Sequence, residues 1–512
     1  MSIARLADEI ASAGLKHVFG IPGSGSTLSL IDALSRRGVN FRTTHFEGTA
    51  AIMAGTLGRL TEIPGVAVAI KGPGLANMVP GLAACCLEGF PMVAVAEAYA
   101  AEQPTNTVHK WLDHKGLVMA VSKGIRSLSE DGPSYRAMAR WAATEPPGPV
   151  VFQLAPKPPK SELPPPFEPE TSSRDRAGLE LVERAKRPVV VAGALALRRG
   201  WGPELAALNV PVFTTASAKG LIDERLKHAA GVYTGVGLEL VPEATILSAA
   251  DLVVGLGLRA NELLNYGRFP CSSIGVDDIP AACSKIPFDH RLEPNSVQLV
   301  FESLRARSWG LEELSRHRAA LKRRFDAEPF LPGPACAAIQ NRFGSNVRLV
   351  VDTGYFCTIA EHAWQATGPN TYLGSGSGRD MGVGLPMALA AALVDSTVPT
   401  VLLIGDGGIG MYWADIEIAV SARLPIAIIL MSDGGFGSIR VRAIRDGLDQ
   451  RSLLFPHRDW LRYAEGFGLP TRHVTSHESF SRALHSWKAT EPLFVRADFD
   501  PNAYQTMVTG IR

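Results

Sequence analysis

The chain repeats one local pattern: a short, almost uninterrupted apolar run, a glycine-rich turn, then a stretch of helical period. HVFGIPG (17–23), VAVAIKGPG (66–74), MVAVAEA (92–98) and VVFQLA (150–155) carry it near the N-terminus. A strand that is apolar on both faces needs cover on both faces, and parallel sheets flanked by helices provide it. The pattern returns in PVVVAGALA (188–196), VPVFTTA (210–216), DLVVGLGL (251–258) and SIGVDD (273–278). It returns again in VRLVVDTG (347–354), TVPTVLLIGDG (397–407), PIAIILMSDGG (425–435) and LFVRADF (493–499). Between the first two blocks, PKPPKSELPPPFEPETSS (156–173) is too rich in Pro to continue either element and reads as a linker. The charged helix LEELSRHRAALKRRFDAEP (311–329) precedes the third block. The expected fold is α/β: three doubly wound parallel-sheet domains at 1–157, 174–310 and 330–512.

Charge narrows what such a chain can bind. Lys and Arg number 51 against 50 Asp and Glu, a net +1, which argues against nucleic acid or an anionic membrane as a bulk partner. Hydrophobic residues at 46% and charged residues at 20% exclude extended disorder. No stretch reaches the ~18 apolar residues that a membrane helix needs. The opening MSIARLADEIASAGLKHVF reads as an amphipathic helix containing Asp8 and Glu9 rather than as a signal peptide. Cys85, Cys86, Cys271, Cys283, Cys336 and Cys357 show no ligand spacing and read as free thiols of a reducing compartment, so a cytoplasmic location is expected.

The sharpest chemical signal lies in the third block. Gly405-Asp406-Gly407 closes the run TVLLI, and 26 residues lie between Asp406 and Asp433, which follows PIAIILM. Both acids therefore fall at the carboxyl ends of parallel strands, the edge where such sheets bind ligands. Gly405, Gly407, Gly408, Gly434, Gly435 and Gly437 let the backbone approach an anion closely. Two carboxylates beside such a site suit a hard cation that clamps a diphosphate. Taken singly, the same residues also read as two unrelated strand–helix turns with a capping Asp.

The whole segment GDGGIGMYWADIEIAVSARLPIAIILMSDGGFGSIR (405–440) resembles the thiamine-diphosphate signature, a GDG followed some 25 residues later by an Asn pair. That resemblance implies a Mg²⁺ site made of Asp406, Asp433 and the backbone carbonyl of Gly435, with Gly405, Gly407, Gly408, Phe436 and Gly437 around the cofactor. Ser432-Asp433 stands where the family has Asn-Asn, which adds one negative charge. FRTTHFEGTAAIMAGTLGRLTEIPGVAVAIKGPGLAN (41–77) looks like the pyrimidine-binding domain of acetolactate synthase and related decarboxylases. It implies that Glu47 is the catalytic Glu, sharing a proton with the aminopyrimidine ring nitrogen, and that Gly74 and Asn77 belong to the cofactor turn. LGSGSGRDMGVGLPMALAAAL (373–393) is similar to the family segment in which Met381 bends the cofactor and the carbonyl of Arg379 accepts from the aminopyrimidine. The chain is thereby identified as a member of the thiamine-diphosphate decarboxylase/carboligase family, with pyrimidine-binding, Rossmann-like middle and diphosphate-binding domains.

Further likenesses concern the reaction. Gly20-Ile21-Pro22-Gly23-Ser24 is similar to the family's first loop, and in benzoylformate-decarboxylase-like members a Ser at the Ser24 position touches the substrate carboxylate. His109 and Lys110 fall where acetolactate synthases carry a Phe-Gln pair beside the thiazolium, Lys71 replaces the usual Ser before GPG, and His45 lies two residues before Glu47. Gathered at one pocket, Lys71, His109 and Lys110 would favour an anionic substrate such as a dicarboxylate, sulfonate or phosphonate; they also read as solvent-facing or as partners of carboxylates such as Asp113. Leu258-Arg259-Ala260-Asn261 departs from the Arg-Phe-Asp-Asp run of acetolactate synthases, so FAD is not expected in the middle domain. The expected activity is non-oxidative: decarboxylation of a small 2-oxo acid followed by carboligation, or by protonation in a simple decarboxylase. An acyl-CoA enzyme and a non-catalytic cofactor-binding paralogue are the other readings. The resemblance also implies a homodimer or homotetramer with the active site at the subunit interface.

Overall fold

Every apolar run named above becomes a strand, and a computed structural model shows where each one sits. It describes residues 2–99, 109–128, 132–154, 176–278, 285–327, 330, 332–456, 458–500 and 507–511; the linker at 156–173 and Cys283 lie outside them. The first sheet holds β1 (His17–Gly20), β2 (Asn40–Thr43), β3 (Gly65–Ala69), β4 (Met92–Glu97), β5 (Ile125–Ser127) and β6 (Pro149–Leu154). The second holds β7 (Pro188–Ala192), β8 (Val212–Thr214), β9 (Ala229–Val232), β10 (Leu252–Leu256), β11 (Ser272–Val276) and β12 (His290–Leu292). The third holds β13 (Arg348–Val351), β14 (Tyr372–Gly374), β15 (Thr400–Gly405), β16 (Ile426–Ser432), β17 (Thr471–Val474) and β18 (Leu493–Asp498). Their orders are β2-β1-β3-β4-β6-β5, β12-β11-β10-β7-β8-β9 and β14-β13-β15-β16-β18-β17. The three sheets are parallel, with registers such as Val93 opposite Val150 and Ile429 opposite Val495.

Central strands such as β4 and β16 are buried along their whole length. Side chains alternate across the pleat, so β7 sends Val190 and Ala192 into one core and Val189 and Val191 into another, on opposite faces of the second sheet. In the third sheet Val351, Leu403, Ile429 and Val495 pack with Phe480 and Trp487. Removing one such side chain down to Ala costs about 2–5 kcal/mol. The six strands that the apolar runs do not reveal are β2, β5, β9, β12, β14 and β17, which are the six sheet edges. Each is three or four residues long, and NFRT, IRS, HRL and TRHV carry polar side chains because an edge is covered on fewer sides.

By backbone proximity the chain forms two compact units. One joins Met1–Phe167 with Leu385–Thr397 and Ile409–Ile426; the other takes Glu168–Gly384, Val398–Gly408 and Ala427–Arg512. Cys85, Cys86, Cys271, Cys336 and Cys357 are free thiols. Among the described residues no helix is long and apolar enough to cross a membrane.

Candidate active site

In the third sheet the strand order reverses between β13 and β15, and a parallel sheet opens a crevice at such a point. Asp352 follows β13, Asp406 follows β15 and Asp433 follows β16. Asp406 is buried and accepts four hydrogen bonds. Trp460 Nε1 (2.8 Å) and Ser432 Oγ (3.2 Å) donate to Oδ1, while the amides of Asp433 (2.8 Å) and Gly434 (3.0 Å) donate to Oδ2. Burial nevertheless pushes its carboxyl above the usual range, against the pull of those donors. Asp433 is pushed up to about 6, first by burial and then by the charge of Asp406. A cation between two such carboxylates relieves both effects, and a donor set of carboxylate and peptide oxygen is that of a hard ion. Among the described residues no group of three His, Cys, Asp or Glu side chains gathers, so the third oxygen would come from the Gly435 carbonyl or from a ligand.

Beside the acids lies a cavity of about 430 Å³, bordered by Met381, Gly405, Gly407, Asp433, Phe436 and Gly437 among others. That is the size of a small-molecule site. Its glycines are spaces that side chains would fill. A Cβ on Gly407 would lie 2.6 Å from the Phe436 ring and 3.2 Å from Met381 Sδ, and one on Gly408 would lie 2.0 Å from Asp352 Oδ2. Asp352 is fully buried and accepts from the amides of Gly382 (2.8 Å) and Gly384 (3.1 Å), which ties the Met381 turn to the floor beneath Gly408. Burial raises its carboxyl to about 7. A diphosphate and its cation fit this cradle of glycines and oxygen donors.

The first unit builds a different site. Helix Glu47–Thr61 and helix Pro73–Glu88 approach so closely that a Cβ on Gly81 would lie 2.3 Å from the carbonyl oxygen of Gly48. This approach brings Glu47, 6% exposed, within 3.2 Å of Asn77 Nδ2 and under the Gly72-Pro73-Gly74 turn. The backbone on either side of Glu47 is anchored by Asp415, a buried acid that accepts from the His45 amide (2.7 Å) and from the Thr49 hydroxyl. The His45 ring itself meets Glu417 at 3.0 Å.

The turn is held by His114. Its Nε2 accepts from the Gly72 amide at 2.9 Å, Nδ1 lies 2.8 Å from the Gln153 side-chain amide, and burial pulls its pKa down to about 4. Nε2 must stay unprotonated to accept that amide. Ser24 is exposed in the loop after β1, ahead of helix Ser26–Ser35, whose Thr27 amide and hydroxyl both donate to buried Glu97.

His109 and Lys110 are exposed side chains on a turn whose backbone packs against Gly72. Tyr99 connects this turn to Lys71: its hydroxyl donates to the Lys110 carbonyl, and Lys71 Nζ lies 5.7 Å from its ring centre. The structure thus brings Glu47, Gly74 and Asn77 together in one unit, and Arg379, Met381, Asp406, Asp433, Gly435 and Phe436 in the other. Asp352, Glu97, His114, Asp415 and Trp460 were not singled out from the sequence. Asp352 and Glu97 could have been found, since each closes a buried run; His114, Asp415 and Trp460 lie away from any such position.

Three family models match the chain in order. They describe the N-terminal thiamine pyrophosphate-binding domain of thiamine pyrophosphate enzymes over residues 3–117, the central domain over 176–290, and the C-terminal thiamine pyrophosphate-binding domain over 352–497. Among curated relatives, the acetolactate synthase isozyme 3 large subunit of Escherichia coli (strain K12) is 27% identical, over 97% of this chain and 95% of that protein. A probable acetolactate synthase large subunit of Methanococcus aeolicus is 25% identical over 96% and 90%. A putative thiamine pyrophosphate-containing protein of Bacillus subtilis (strain 168) is 24% identical over 92% and 87%.

Proposed function

The chain belongs to the thiamine pyrophosphate-dependent decarboxylase and carboligase family, and from that premise we propose a Mg²⁺-dependent enzyme that decarboxylates a 2-oxo acid and joins the fragment to a second carbonyl compound. The observation that carries this reading is the glycine-floored cavity at Asp406 and Asp433, where burial holds both acids above their ordinary range and the charge of Asp406 adds to it at Asp433. When bound, thiamine diphosphate supplies an electron sink for the pair released as CO₂ departs.

The remaining roles are those of the chain's own residues. Asp406, Asp433 and the Gly435 carbonyl hold the cation, and Gly405, Gly407, Gly408, Phe436 and Gly437 shape the anion seat. Met381 and Arg379 orient the aminopyrimidine, and Gly74 and Asn77 belong to the cofactor turn over Glu47. Glu47, oriented by Asn77, holds and returns a proton at the pyrimidine nitrogen. Ser24, His109 and Lys110 face the substrate. Domains at 1–157, 174–310 and 330–512 and a homodimer or homotetramer complete the reading, with FAD left out.

A second reading, a decarboxylase for a doubly anionic 2-oxo acid, is favoured by Lys71. Its ammonium lies against the Tyr99 ring, and among the described residues no carboxylate pairs with it. The test is CO₂ release with thiamine diphosphate and Mg²⁺ across pyruvate, benzoylformate, oxaloacetate, sulfopyruvate and phosphonopyruvate, with products weighed by mass spectrometry. Pyruvate giving a five-carbon acetolactate is the expected result. Preference for the doubly anionic acids selects the second reading, and silence across the panel with cofactor bound overturns both.

A further inference from the structure

Arg379 occupies a position where its own backbone is under strain. Its φ is +52°, in the left-handed region that a residue with a side chain rarely adopts unless its surroundings hold it there. A glycine would sit there freely. The Arg379 side chain supplies the hold: Nη1 lies 2.5 Å from Glu361 Oε1, and the Glu361 side chain is 1% exposed.

Glu361 is a fixed partner. It lies near the end of helix Tyr355–Ala363, and its own carbonyl accepts from Lys219 Nζ at 2.9 Å, with Lys219 in turn paired to buried Glu224. The next residues are tied separately. The Asp380 amide donates to Ser375 Oγ (2.9 Å), Thr353 Oγ1 donates to the Asp380 carbonyl (2.9 Å), and the Gly382 amide donates to Asp352. Met381, two residues beyond Arg379, borders the cavity. The turn 379–382 is thus gripped at one end by a buried carboxylate on hydrogen bonds and at the other by a buried ion pair.

We propose that Glu361 is a positioning residue for the cofactor: its ion pair with Arg379 holds the strained Arg379 peptide in the one conformation that aims its carbonyl and Met381 at the aminopyrimidine. This rests on the thiamine-diphosphate reading above. A buried ion pair is seldom the most stabilising way to fill a core, and its best-attested use is to select one geometry among several. Here the geometry selected is one that the backbone alone would leave.

The test uses the full chain with Mg²⁺ and three variants, Glu361→Gln, Arg379→Met and Arg379→Lys. Thiamine diphosphate affinity is read from tryptophan fluorescence, Trp460 being hydrogen-bonded to Asp406. Order of the turn is read, without cofactor, from amide hydrogen exchange over residues 376–382. Glu361→Gln and Arg379→Met are expected to weaken cofactor affinity by about tenfold or more, the scale of one charged hydrogen bond, and to speed exchange in that turn. Arg379→Lys, which keeps the charge, is expected to recover most of the affinity; a simple packing role would not respond to the retained charge. If Glu361→Gln leaves Arg379 unpaired and unfolds the protein, Arg379→Met carries the test, because a lone buried Glu can take up a proton. Affinity within twofold of wild type and unchanged exchange in the folded variants overturn the proposal. A wild-type chain that binds no thiamine diphosphate overturns the underlying reading instead, and exchange alone then decides whether the ion pair orders the turn.

Discussion

The first and third sheets have the same strand order when counted from the first strand of each. In both, a glycine-rich turn follows the third strand, at the point where the order reverses: Gly72-Pro73-Gly74 after β3 and Gly405-Asp406-Gly407 after β15. The shared topology fixes where a ligand can approach, but the two turns are chemically opposite. The third-sheet turn carries its own carboxylate, surrounds it with N–H and O–H donors, and sets a second acid beside it at the end of the next strand. The first-sheet turn carries no carboxylate; a neutral His114 holds it, and the acid beneath it, Glu47, arrives on a helix after the second strand. One site is built to hold charge in place, and the other to keep a single carboxyl beside a neutral partner.

The two acids should therefore fail differently when replaced, and this is the largest expected effect. Asp406→Ala is expected to abolish Mg²⁺-dependent thiamine diphosphate binding in calorimetry. Glu47→Gln should keep binding and lose turnover by a factor on the order of 10²–10⁴. Equal loss of affinity in both variants would erase the distinction.

The neutral imidazole gives the next effect. The His114 pKa is about 4 in the folded chain, below the ~6.5 of an unfolded one, so between those values the unfolded chain binds more protons. Stability should therefore fall as pH drops from about 6.5 to about 4, by up to about 3 kcal/mol, with no further contribution below that. Protonation at Nε2 would set its N–H against that of Gly72. His114→Gln should flatten this limb in chemical denaturation measured against pH, and an unchanged slope would remove His114 from the turn's support.

Cβ insertion compares the two glycine turns directly. Gly408→Ala would meet Asp352 Oδ2 at 2.0 Å and is expected to cost about 1–3 kcal/mol and to weaken cofactor binding. Gly74→Ala meets the Ile70 side chain at 2.8 Å, which can yield, and lies in the first turn of a helix, so a change within about 1 kcal/mol is expected by thermal denaturation. The smallest effect should come from Asp433→Asn. It removes the like charge beside Asp406, and Mg²⁺ affinity measured by titration should fall by less than about threefold while the cofactor still binds.

Much of this was legible in the sequence because the relevant residues are neighbours of a burial signal. Asp406 and Asp433 each end a fully buried run, so their place at the carboxyl edge of a sheet follows from the strands alone. Glu47, Gly74 and Asn77 were legible through their resemblance to a known domain. Their contact depends on two glycine-bearing helices crossing closely, which no periodicity reveals. His109 and Lys110, which the resemblance sets beside the thiazolium, have exposed side chains, and the Lys110 carbonyl lies against the Gly72 turn. Trp460, 54 residues beyond the Asp406 it donates to, and Asp415, far from the His45 and Thr49 it anchors, left no mark in the sequence.

The sequence by itself determined the twelve inner strands and the turns that follow them. A strand covered on both faces must be apolar at every position, and that requirement is written locally. The tertiary structure decided the six edges, whose short polar strands need a neighbour to be recognisable. It also decided the second partners: the indole on Asp406, the imidazole under Gly72, the carboxylate behind Arg379. Each of these satisfies a buried polar group whose need arises only once the sheets and helices have closed around it.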